Sequence, residues 1–370
     1  MSVWQAQLVV DADEVGQWLR LVTRRSADEP MTTDVTRALS HALERSDGSL
    51  LLDEIFGTEA SHTDVAASIV DIAGVAGRPV GVKLVRLGSG IVVGFDLADG
   101  SAVVVKVHRP HIVARLGAVL QAQRALAGAG VPVPESLVDE AIPVGSGAAT
   151  IESWLADGDM VDVRPTPYRQ AIAACAVSIT GALTPVENYA ALAPGWTGRF
   201  PPPHSPIFNF DATAAGAEWI DELADFALAA KFRLVDTRDR RTVVGHSDLR
   251  PENVLIDARG VSAVYDLDSL VLDAEPWLIG GVARAFSTNW SLPDPMLPTV
   301  DEINVFVNDY ELARGTGFTD DERSLATAGT LHALAYSARC EHSLYPSSIA
   351  PWGPGWRHLL RRWADRSSLP

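Results

Sequence analysis

The stretch from His246 to Asp268 reads HSDLRPENVLIDARGVSAVYDLD. It contains two short apolar runs, residues 254–256 and 261–265, and the segment between them includes Gly260. Apolar runs of this length joined by a glycine-containing turn are typical of a β-hairpin. Because the two strands of an antiparallel hairpin bring its outer ends together, the pattern predicts that polar residues flanking the runs lie side by side.

Three of these flanking residues carry side-chain oxygen atoms. Asn253 directly precedes the first predicted strand, Asp266 directly follows the second, and Asp248 lies on the segment that leads into the hairpin. Amide and carboxylate oxygens are the ligands that a hard cation such as Mg²⁺ prefers. A further carboxylate beside such a cation can orient a hydroxyl group. The stretch therefore predicts a site at which a cation and a hydroxyl group meet.

The composition is typical of a globular chain with two or three domains. The chain has 370 residues, of which 47% are apolar and 21% charged, and it lacks an uncharged apolar run of about 18 residues. The first 15 residues do not have the basic and then apolar order of a secretory signal. Cys175 and Cys340 are far apart and have no histidines at metal-ligand spacing, which fits a reducing compartment. We therefore expect a cytoplasmic protein.

The net charge of −17 at pH 7 limits the class of partner. Nucleic acids and anionic membranes are bound by basic surfaces, so we expect neither as a partner. The same charge permits a cationic substrate, although acidity can also serve solubility alone. Composition leaves both interpretations open, and it says nothing about the oligomeric state.

Residues 1–80 have the pattern of helices. Apolar residues recur at helical spacing in residues 15–22 and 35–43, and the segment 65–75 is mostly apolar and is followed by Gly77. No chemical motif occurs in this part of the chain. We expect a helical extension that packs against the main fold.

From Val82 the pattern changes to that of strands. The predicted strands end near Leu87, span residues 91–97 and span residues 102–107. Gly88 and Gly90 lie at the first connection. Backbone N–H groups of a glycine-rich turn can contact the phosphates of a nucleotide, although a plain hairpin turn is the commoner explanation.

Lys106 interrupts the apolar run VVVKV of the third predicted strand. A lysine on a strand is most often solvated. Its position after a glycine-rich hairpin and before a helix at residues 112–130 would let its ammonium group reach phosphate oxygens. A strand at 149–154, a linker at 154–158 and a loop at 194–206 are also predicted, and the remaining helices are expected at 167–183, 212–235, 299–314, 320–337 and 356–366.

The order of these parts resembles that of the aminoglycoside phosphotransferase family, a group of small-molecule kinases with a protein-kinase-like fold. The family's catalytic loop, HGDxxxxN, is matched by His246, Asp248 and Asn253, and its metal-binding aspartate by Asp266. The resemblance implies an α+β, bilobal fold with a small β-rich N-lobe, a larger helical C-lobe and an N-terminal helical extension. The implied boundaries are 1–80 for the extension, 81–153 for the nucleotide-binding N-lobe and 154–370 for the C-lobe with the catalytic loop and acceptor site.

The resemblance also implies roles for individual residues. Asp248 would be the catalytic base or orient the acceptor hydroxyl, Asn253 and Asp266 would hold Mg²⁺, and Lys106 would bind the α- and β-phosphates of ATP, with GTP as the alternative nucleotide. Asp268 could assist at the metal or face solvent. His246 and Arg250 are further candidates on the catalytic loop, with bracing of that loop as the alternative for each. The remaining candidates at the nucleotide are Gly88, Gly90, Gln121, Glu152 and Trp154.

One departure from the family pattern concerns the partner of Lys106. The family usually has a glutamate on the helix after the strand lysine, whereas residues 112–126 contain no acid. Gln121 is the best placed substitute and Gln123 the second. Because glutamine adds no charge, we expect Lys106 to be held less firmly, or to be held by another acid.

The C-terminal half should bind the acceptor. Carboxylates there suit an amine-bearing ligand and indole faces suit sugars or cations, whereas a helix surface and an apolar core are the structural interpretations. The sequence favours a hydroxyl acceptor on an aminoglycoside, an amino sugar or a related metabolite. A nucleotide-binding pseudokinase or scaffold is the alternative. The acids are Asp294, Asp301, Glu302, Asp309 and Glu311, and the tryptophans are Trp277, Trp290, Trp352, Trp356 and Trp363.

Overall fold

The structure is a computed structural model that describes residues 31–44, 48–194, 198–235, 241–289, 297–350 and 353–366. The helix predicted at residues 15–22 lies outside these ranges. Within them, no helix is both long enough and apolar enough to cross a membrane.

In the described residues, three helices precede the first strand. Apolar residues of these helices, including Leu39, Ile55 and Ile69, share one buried core with the sheet that follows. The helices expected at residues 35–43 and 65–75 are present, and a short third helix between them was not predicted. The helices are α1 (Met31–Glu44), α2 (Ser49–Phe56) and α3 (His62–Ala73).

A five-stranded antiparallel sheet follows, with the strand order β1-β2-β3-β5-β4. The buried side chains of Val103, Val105 and Val107 alternate along β3 and join the core shared with the helices. Lys106 therefore points to the opposite face of the sheet. The elements are β1 (Pro79–Leu87), β2 (Ile91–Leu97), β3 (Ala102–His108), α4 (Pro110–Gly128), β4 (Ile142–Val144) and β5 (Gly147–Ser153).

The rest of the described chain is mostly helical and has its own apolar core. Two small antiparallel sheets, β6 with β9 and β7 with β8, carry the stretch 246–268. The hairpin formed by β7 and β8 is the one that the apolar runs predicted. The elements are α5 (Thr166–Ala182), α6 (Glu218–Val235), β6 (Thr242–His246), β7 (Val254–Asp257), β8 (Gly260–Val264), β9 (Leu270–Ala274), α7 (Glu275–Ala283), α8 (Val300–Arg314), α9 (Asp320–Leu344) and α10 (Trp356–Arg366).

Hydrogen bonds attach the linker after β5 to the β7–β8 hairpin. Gly158 has φ +107°, and a Cβ atom at this position would lie 2.2 Å from Ser262 Oγ, so the close approach requires glycine. The segment that leaves the five-stranded sheet is thereby fixed to the hairpin that bears Asn253 and Asp266. The bonds run from Tyr265 Oη to Leu155 O (2.8 Å), from Ser262 Oγ to Asp157 O (2.6 Å) and reciprocally between the backbones of Asp159 and Ile256 (2.9 Å each).

Candidate active site

His246 ends β6 and braces the loop that follows. The backbone N–H of Asp248 donates to His246 Nδ1 (3.1 Å), which makes Nε2 the protonated nitrogen of the neutral ring, and Nε2 donates to Tyr265 O (2.8 Å). Burial lowers the pKa of His246, which favours this neutral form. The ring thus connects the Asp248 backbone to the end of β8.

Asp248 is an ionised hydrogen-bond acceptor. Its Oδ2 accepts from Arg250 Nε (2.8 Å) and from Asn253 Nδ2 (3.1 Å). Burial raises the pKa of this carboxyl, but the charges of Arg250 and Arg284 outweigh burial and lower it below the usual value. The other oxygen, Oδ1, lies 3.9 Å from Nη2 of Arg284, beyond hydrogen-bonding distance. Oδ1 is therefore the oxygen that can accept a hydrogen bond from a substrate hydroxyl.

Asn253 and Asp266 meet at the open end of the hairpin. Tyr265 N donates to Asn253 O (2.8 Å), which joins the two strand ends. The amide group of Asn253 donates through Nδ2 to Asp248 O (2.8 Å), so its Oδ1 is left as a potential ligand. Asp266 has φ +61° and is the one non-glycine residue with positive φ in the described part of the chain. Such backbone conformations concentrate at functional sites.

A second carboxylate lies against Asp266. Burial, together with the adjacent charge of Asp268, raises the pKa of Asp266 well above its usual value. Asp268 is partly buried, which raises its pKa, but its interactions with His108 and Lys106 outweigh this effect and lower its pKa. Two adjacent carboxylates and an amide oxygen are suitable ligands for a hard divalent cation. Such a cation would also relieve the repulsion between the two carboxylates.

The protein supplies only part of a coordination sphere. Across the described ranges, no group of three or more His, Cys, Asp or Glu side chains is placed to hold a metal ion. Mg²⁺ commonly takes one or two protein carboxylates and completes its octahedron with phosphate oxygens and water. The residues present at Asn253 and Asp266 therefore fit a cation that binds together with a nucleotide.

Lys106 is held by an acid on a neighbouring strand. Its Nζ lies 2.9 Å from Oε2 of Glu152, and both side chains are almost fully buried. Lys106 pairs with Thr150 in the β3–β5 register, so Glu152 lies two residues along β5 on the same face. Burial opposes the charged form of Lys106, but Glu152, Asp268 and Asp266 outweigh burial and raise its pKa. The ammonium group is thus fixed as a cation facing the two aspartates.

The expectation that Gln121 contacts Lys106 is wrong. Gln121 is exposed on α4, and Gln123 is buried but donates to Pro134 O (2.8 Å). Glu152, which the sequence analysis placed at the nucleotide, has the role that was expected of Gln121. One signal for it exists in the sequence. A glutamate within the otherwise uncharged strand GAATIES predicts a buried cation nearby, since a lone buried charge is costly.

The glycine-rich connection between β1 and β2 is a tight turn. Gly88 N donates to Gly90 O (3.0 Å), so this amide is used within the turn. A Cβ atom on Gly90 would lie 2.5 Å from Val107 O, which accounts for glycine at that position. Trp154 packs its ring against Gly94 and lies under Lys83 Nζ, which is 5.2 Å from the ring centroid. These contacts have structural explanations, and nucleotide contacts of Gly88, Gly90 and Trp154 remain predictions.

Arg250 links the two acids of the catalytic loop. Besides Asp248, it contacts Glu252 Oε2 through Nη1 (3.2 Å). The charges of Asp248 and Glu252 raise the pKa of Arg250 despite burial, which lowers it. The arrangement supports bracing of the loop, and a contact between Arg250 and the γ-phosphate remains a prediction.

The acids expected to attract a cationic acceptor have structural roles. Asp309 pairs with Arg169, and Glu311 pairs with Arg323. Glu302 forms a capping box at the start of α8, and Asp301 is exposed beside it. The described tryptophans Trp277, Trp356 and Trp363 are buried in the core, whereas Asp294, Trp290 and Trp352 lie outside the described residues. Three of the described acids thus form ion pairs or a helix cap, and the described tryptophans belong to the core.

Sequence reasoning missed the side chains that adjoin Asp248 from distant segments. Arg284 follows α7 and donates through Nη1 to Ser337 Oγ (3.0 Å) on α9. His204 N donates to Tyr336 Oη (3.0 Å), and the His204 side chain is exposed. Partial loss of hydration, together with the nearby charges of Arg250 and Arg284, lowers the pKa of His204 to about 4. Two arginines, Arg250 and Arg284, therefore lie beside Asp248.

We expect Glu152→Gln to lower both the stability of the fold and the affinity for nucleotide. Breaking a buried ion pair by removing one partner costs about 3 kcal/mol, because the other charge stays buried. Lys106 would also lose the group that positions it. Thermal unfolding should show a lower Tm, and calorimetry should show a larger Kd for ATP in the presence of Mg²⁺.

Gln121→Ala is the matched control for this prediction. Gln121 is exposed on α4, so its truncation should leave both Tm and Kd near the wild-type values. Equal losses in the two variants would contradict the assignment of Glu152 as the anchor of Lys106.

Comparison with known families matches residues 92–274 to the family described as phosphotransferase enzyme family. The matched range extends from β2 to the end of β9 and contains Lys106, Glu152 and the whole stretch 246–268. The search of curated proteins found no match.

Solved structures similar to this one are phosphotransferases of low sequence identity. A spectinomycin phosphotransferase in complex with ADP and spectinomycin is 12% identical, with a TM-score of 0.51 over 82% of this chain and 94% of that chain. An amicoumacin kinase in complex with AMP-PNP and Ca²⁺ is 14% identical, with a TM-score of 0.52 over 79% and 96% of the two chains. An APH(2″)-IIIa enzyme in complex with GDP and kanamycin is 13% identical, with a TM-score of 0.51 over 78% and 95%. The likeness confirms the bilobal, protein-kinase-like fold.

Proposed function

Because this chain belongs, through residues 92–274, to the phosphotransferase enzyme family of small-molecule kinases, we propose that it transfers the γ-phosphate of ATP to an alcohol group of a small molecule. The observation that carries the proposal is the geometry around Asp248. Its carboxylate is ionised, it is hydrogen-bonded to the amide of Asn253, and one of its oxygens remains open to a hydroxyl.

Asp248 would orient the acceptor. Its Oδ1 accepts the hydrogen bond of the acceptor hydroxyl and aligns the hydroxyl oxygen with the γ-phosphorus. As the new P–O bond forms, the bond between the γ-phosphorus and the β–γ bridging oxygen breaks, and the nucleoside diphosphate leaves with that electron pair. The hydroxyl proton passes to Asp248.

Asn253 and Asp266 would hold Mg²⁺. The cation supplies neutralisation of the charge on the β- and γ-phosphate oxygens. Asp268 is buried against Asp266 and contributes negative charge at the same place. Lys106 would bind the α- and β-phosphates, and Glu152 keeps its ammonium group positioned.

The nucleotide and the acceptor are the finer parts of the proposal. ATP is proposed as the donor, with GTP as the alternative, since the similar structures are complexes of either adenine or guanine nucleotides. Their acceptors include spectinomycin and kanamycin. For this chain the acids that favoured an amino sugar or aminoglycoside are engaged elsewhere, so the proposal commits to an alcohol acceptor of a polar small molecule. We also propose a cytoplasmic location, where ATP is available.

The test is transfer of label from the nucleotide to a small molecule. The protein would be incubated with γ-labelled ATP or GTP, Mg²⁺ and a metabolite extract, and labelled products would be separated by chromatography. We expect one labelled small molecule with the wild-type protein and none after chelation of Mg²⁺. Nucleotide binding without a labelled product would instead indicate a pseudokinase or scaffold.

A further inference from the structure

Arg284 is incompletely satisfied beside Asp248. A guanidinium group has five N–H donors. In the described part of the chain, Nη1 of Arg284 bonds Ser337 Oγ, while Nε is buried without a hydrogen-bond partner. The guanidinium carbon lies 5.5 Å from the ring centroid of Trp356, which supports the group from one side. The side chain retains 17% exposure, so part of the guanidinium group remains accessible to a ligand.

The charge of Arg284 is also poorly compensated. Its nearest described carboxylate is Asp248, at 3.9 Å, and that carboxylate already accepts from Arg250 at 2.8 Å. Burial and the neighbouring charge of Arg250 lower the pKa of Arg284. A buried cation without a close counterion is unfavourable. An anion beside the exposed part of the guanidinium group would supply a counterion and an acceptor for Nη2.

The acid nearest to Ser337 along α9 is engaged in other contacts. Glu341, one helical turn from Ser337 on α9, pairs with Arg357 and accepts from the backbone of Trp356. Glu341 is therefore not available to bind an ammonium group beside Arg284. The positive charges of Arg250 and Arg284 favour a negative ligand group over a positive one on this side of Asp248.

We propose that the acceptor carries an anionic group, a carboxylate or a phosphate, which Arg284 binds next to the hydroxyl oriented by Asp248. This inference rests on the proposed phosphotransferase function and names the chemical class of its acceptor. The 3.9 Å between Asp248 Oδ1 and Arg284 Nη2 brings the hydroxyl and the anion within the span of one small molecule such as a sugar acid or a hydroxy acid. Arginine is suited to this role because its planar fork matches carboxylate and phosphate oxygens.

Fractionated acceptors test the charge class directly. A metabolite extract would be separated by ion exchange into anionic, neutral and cationic fractions, and each fraction would be incubated with the protein, γ-labelled ATP and Mg²⁺. We expect the labelled product from the anionic fraction. Product from the cationic or neutral fraction alone would overturn the inference and leave the proposed function standing, whereas product from no fraction would count against the proposed function.

Arg284 variants test the residue. With the anionic acceptor, Arg284→Gln should raise KM about 100-fold, because one partner of a charge-assisted contact is lost. Arg284→Lys, which keeps the charge but not the fork, should recover part of this loss. Arg259→Gln is the matched control, since Arg259 is 85% exposed on the hairpin turn. A fall in kcat with unchanged KM would place Arg284 at the transferring phosphate and overturn the inference.

Anion binding gives a readout that does not depend on turnover. Thermal shifts would be measured in the presence of Mg²⁺ and AMP-PNP with D-glycerate, glycerol 3-phosphate or glycerol as the probe. We expect glycerate or glycerol 3-phosphate, and not glycerol, to raise the Tm of the wild type and of Arg259→Gln but not of Arg284→Gln. The two anions distinguish a carboxylate site from a phosphate site. Equal shifts in all three proteins, or no shift in the wild type, would overturn the inference.

Discussion

We expect Asp248→Asn to lower kcat for phosphoryl transfer about 10²- to 10⁴-fold, the range typical of losing a positioned acid or base. The amide cannot take the proton of the acceptor hydroxyl, and its charge no longer draws that hydroxyl into line. Steady-state kinetics with the acceptor identified by labelling would measure this loss. Nucleotide affinity should remain nearly intact, because Lys106 and Asp266 are unchanged.

The asparagine variant separates chemistry from folding. Its amide oxygen can still accept from Arg250 Nε, and Arg250 keeps its contact with Glu252. Asp248→Ala would remove both acceptor oxygens and leave two arginines beside a cavity, so a loss of activity there would be harder to interpret. Asp257→Asn is the control, because it makes the same change at the turn of the hairpin that follows Asp248, where Asp257 contacts Arg259. Near wild-type turnover in Asp248→Asn would show that the catalytic assignment is wrong.

Local sequence patterns predicted the hairpin and the meeting of its ends. The spacing from Asn253 to Asp266 is short, and the register of β7 and β8 follows from one turn, so neighbouring residues contain all the information needed. The first three strands of the larger sheet were predicted for the same reason. Helix α7 was missed because almost every side chain in EPWLIGGVA is buried, so the helix shows no alternation of polar and apolar faces.

Contacts between distant segments could not be predicted from those patterns. The pairing of Lys106 with Glu152 depends on the β3–β5 register, and α4 with its connection to β4 and β5 separates the two residues in sequence. Arg284 lies near Asp248 because α7 and α9 pack together, and nothing in the segments GVAGRPV (residues 74–80) and GGVARAF (residues 280–286) indicates which arginine lies nearer to the site. The location of each tryptophan could not be predicted either, because a ring such as that of Trp356 is equally suited to the core and to contact with a ligand.

We expect Asp266→Asn to have the second large effect, which is loss of Mg²⁺-dependent nucleotide binding. Replacing a carboxylate ligand by a neutral amide should raise the Kd for the Mg²⁺ complex of ATP by more than about 100-fold, since even indirect ligand contacts contribute 10- to 100-fold. Turnover should fall accordingly. Titration calorimetry at several Mg²⁺ concentrations would measure the change. The backbone at φ +61° tolerates asparagine better than most residues, so the variant keeps the local conformation.

The same substitution should leave the metal-free protein as stable as the wild type or more stable. Asp266 and Asp268 are buried like charges, and burial and Asp268 raise the pKa of Asp266, whereas His108 and Lys106 stabilise the charge on Asp268. Removing the charge at 266 relieves repulsion, whereas removing it at 268 takes away a carboxylate that interacts with His108 and Lys106, although Lys106 keeps Glu152 as its partner. Asp266→Asn should therefore keep or raise the Tm without Mg²⁺, while Asp268→Asn should lower it. A lower Tm for Asp266→Asn, with Mg²⁺-dependent nucleotide binding retained, would identify Asp266 as a structural residue. If Asp266 is a cation ligand, its substitution should abolish nucleotide binding without lowering the Tm. The reason is that the carboxylates of Asp266 and Asp268 repel each other until a cation binds.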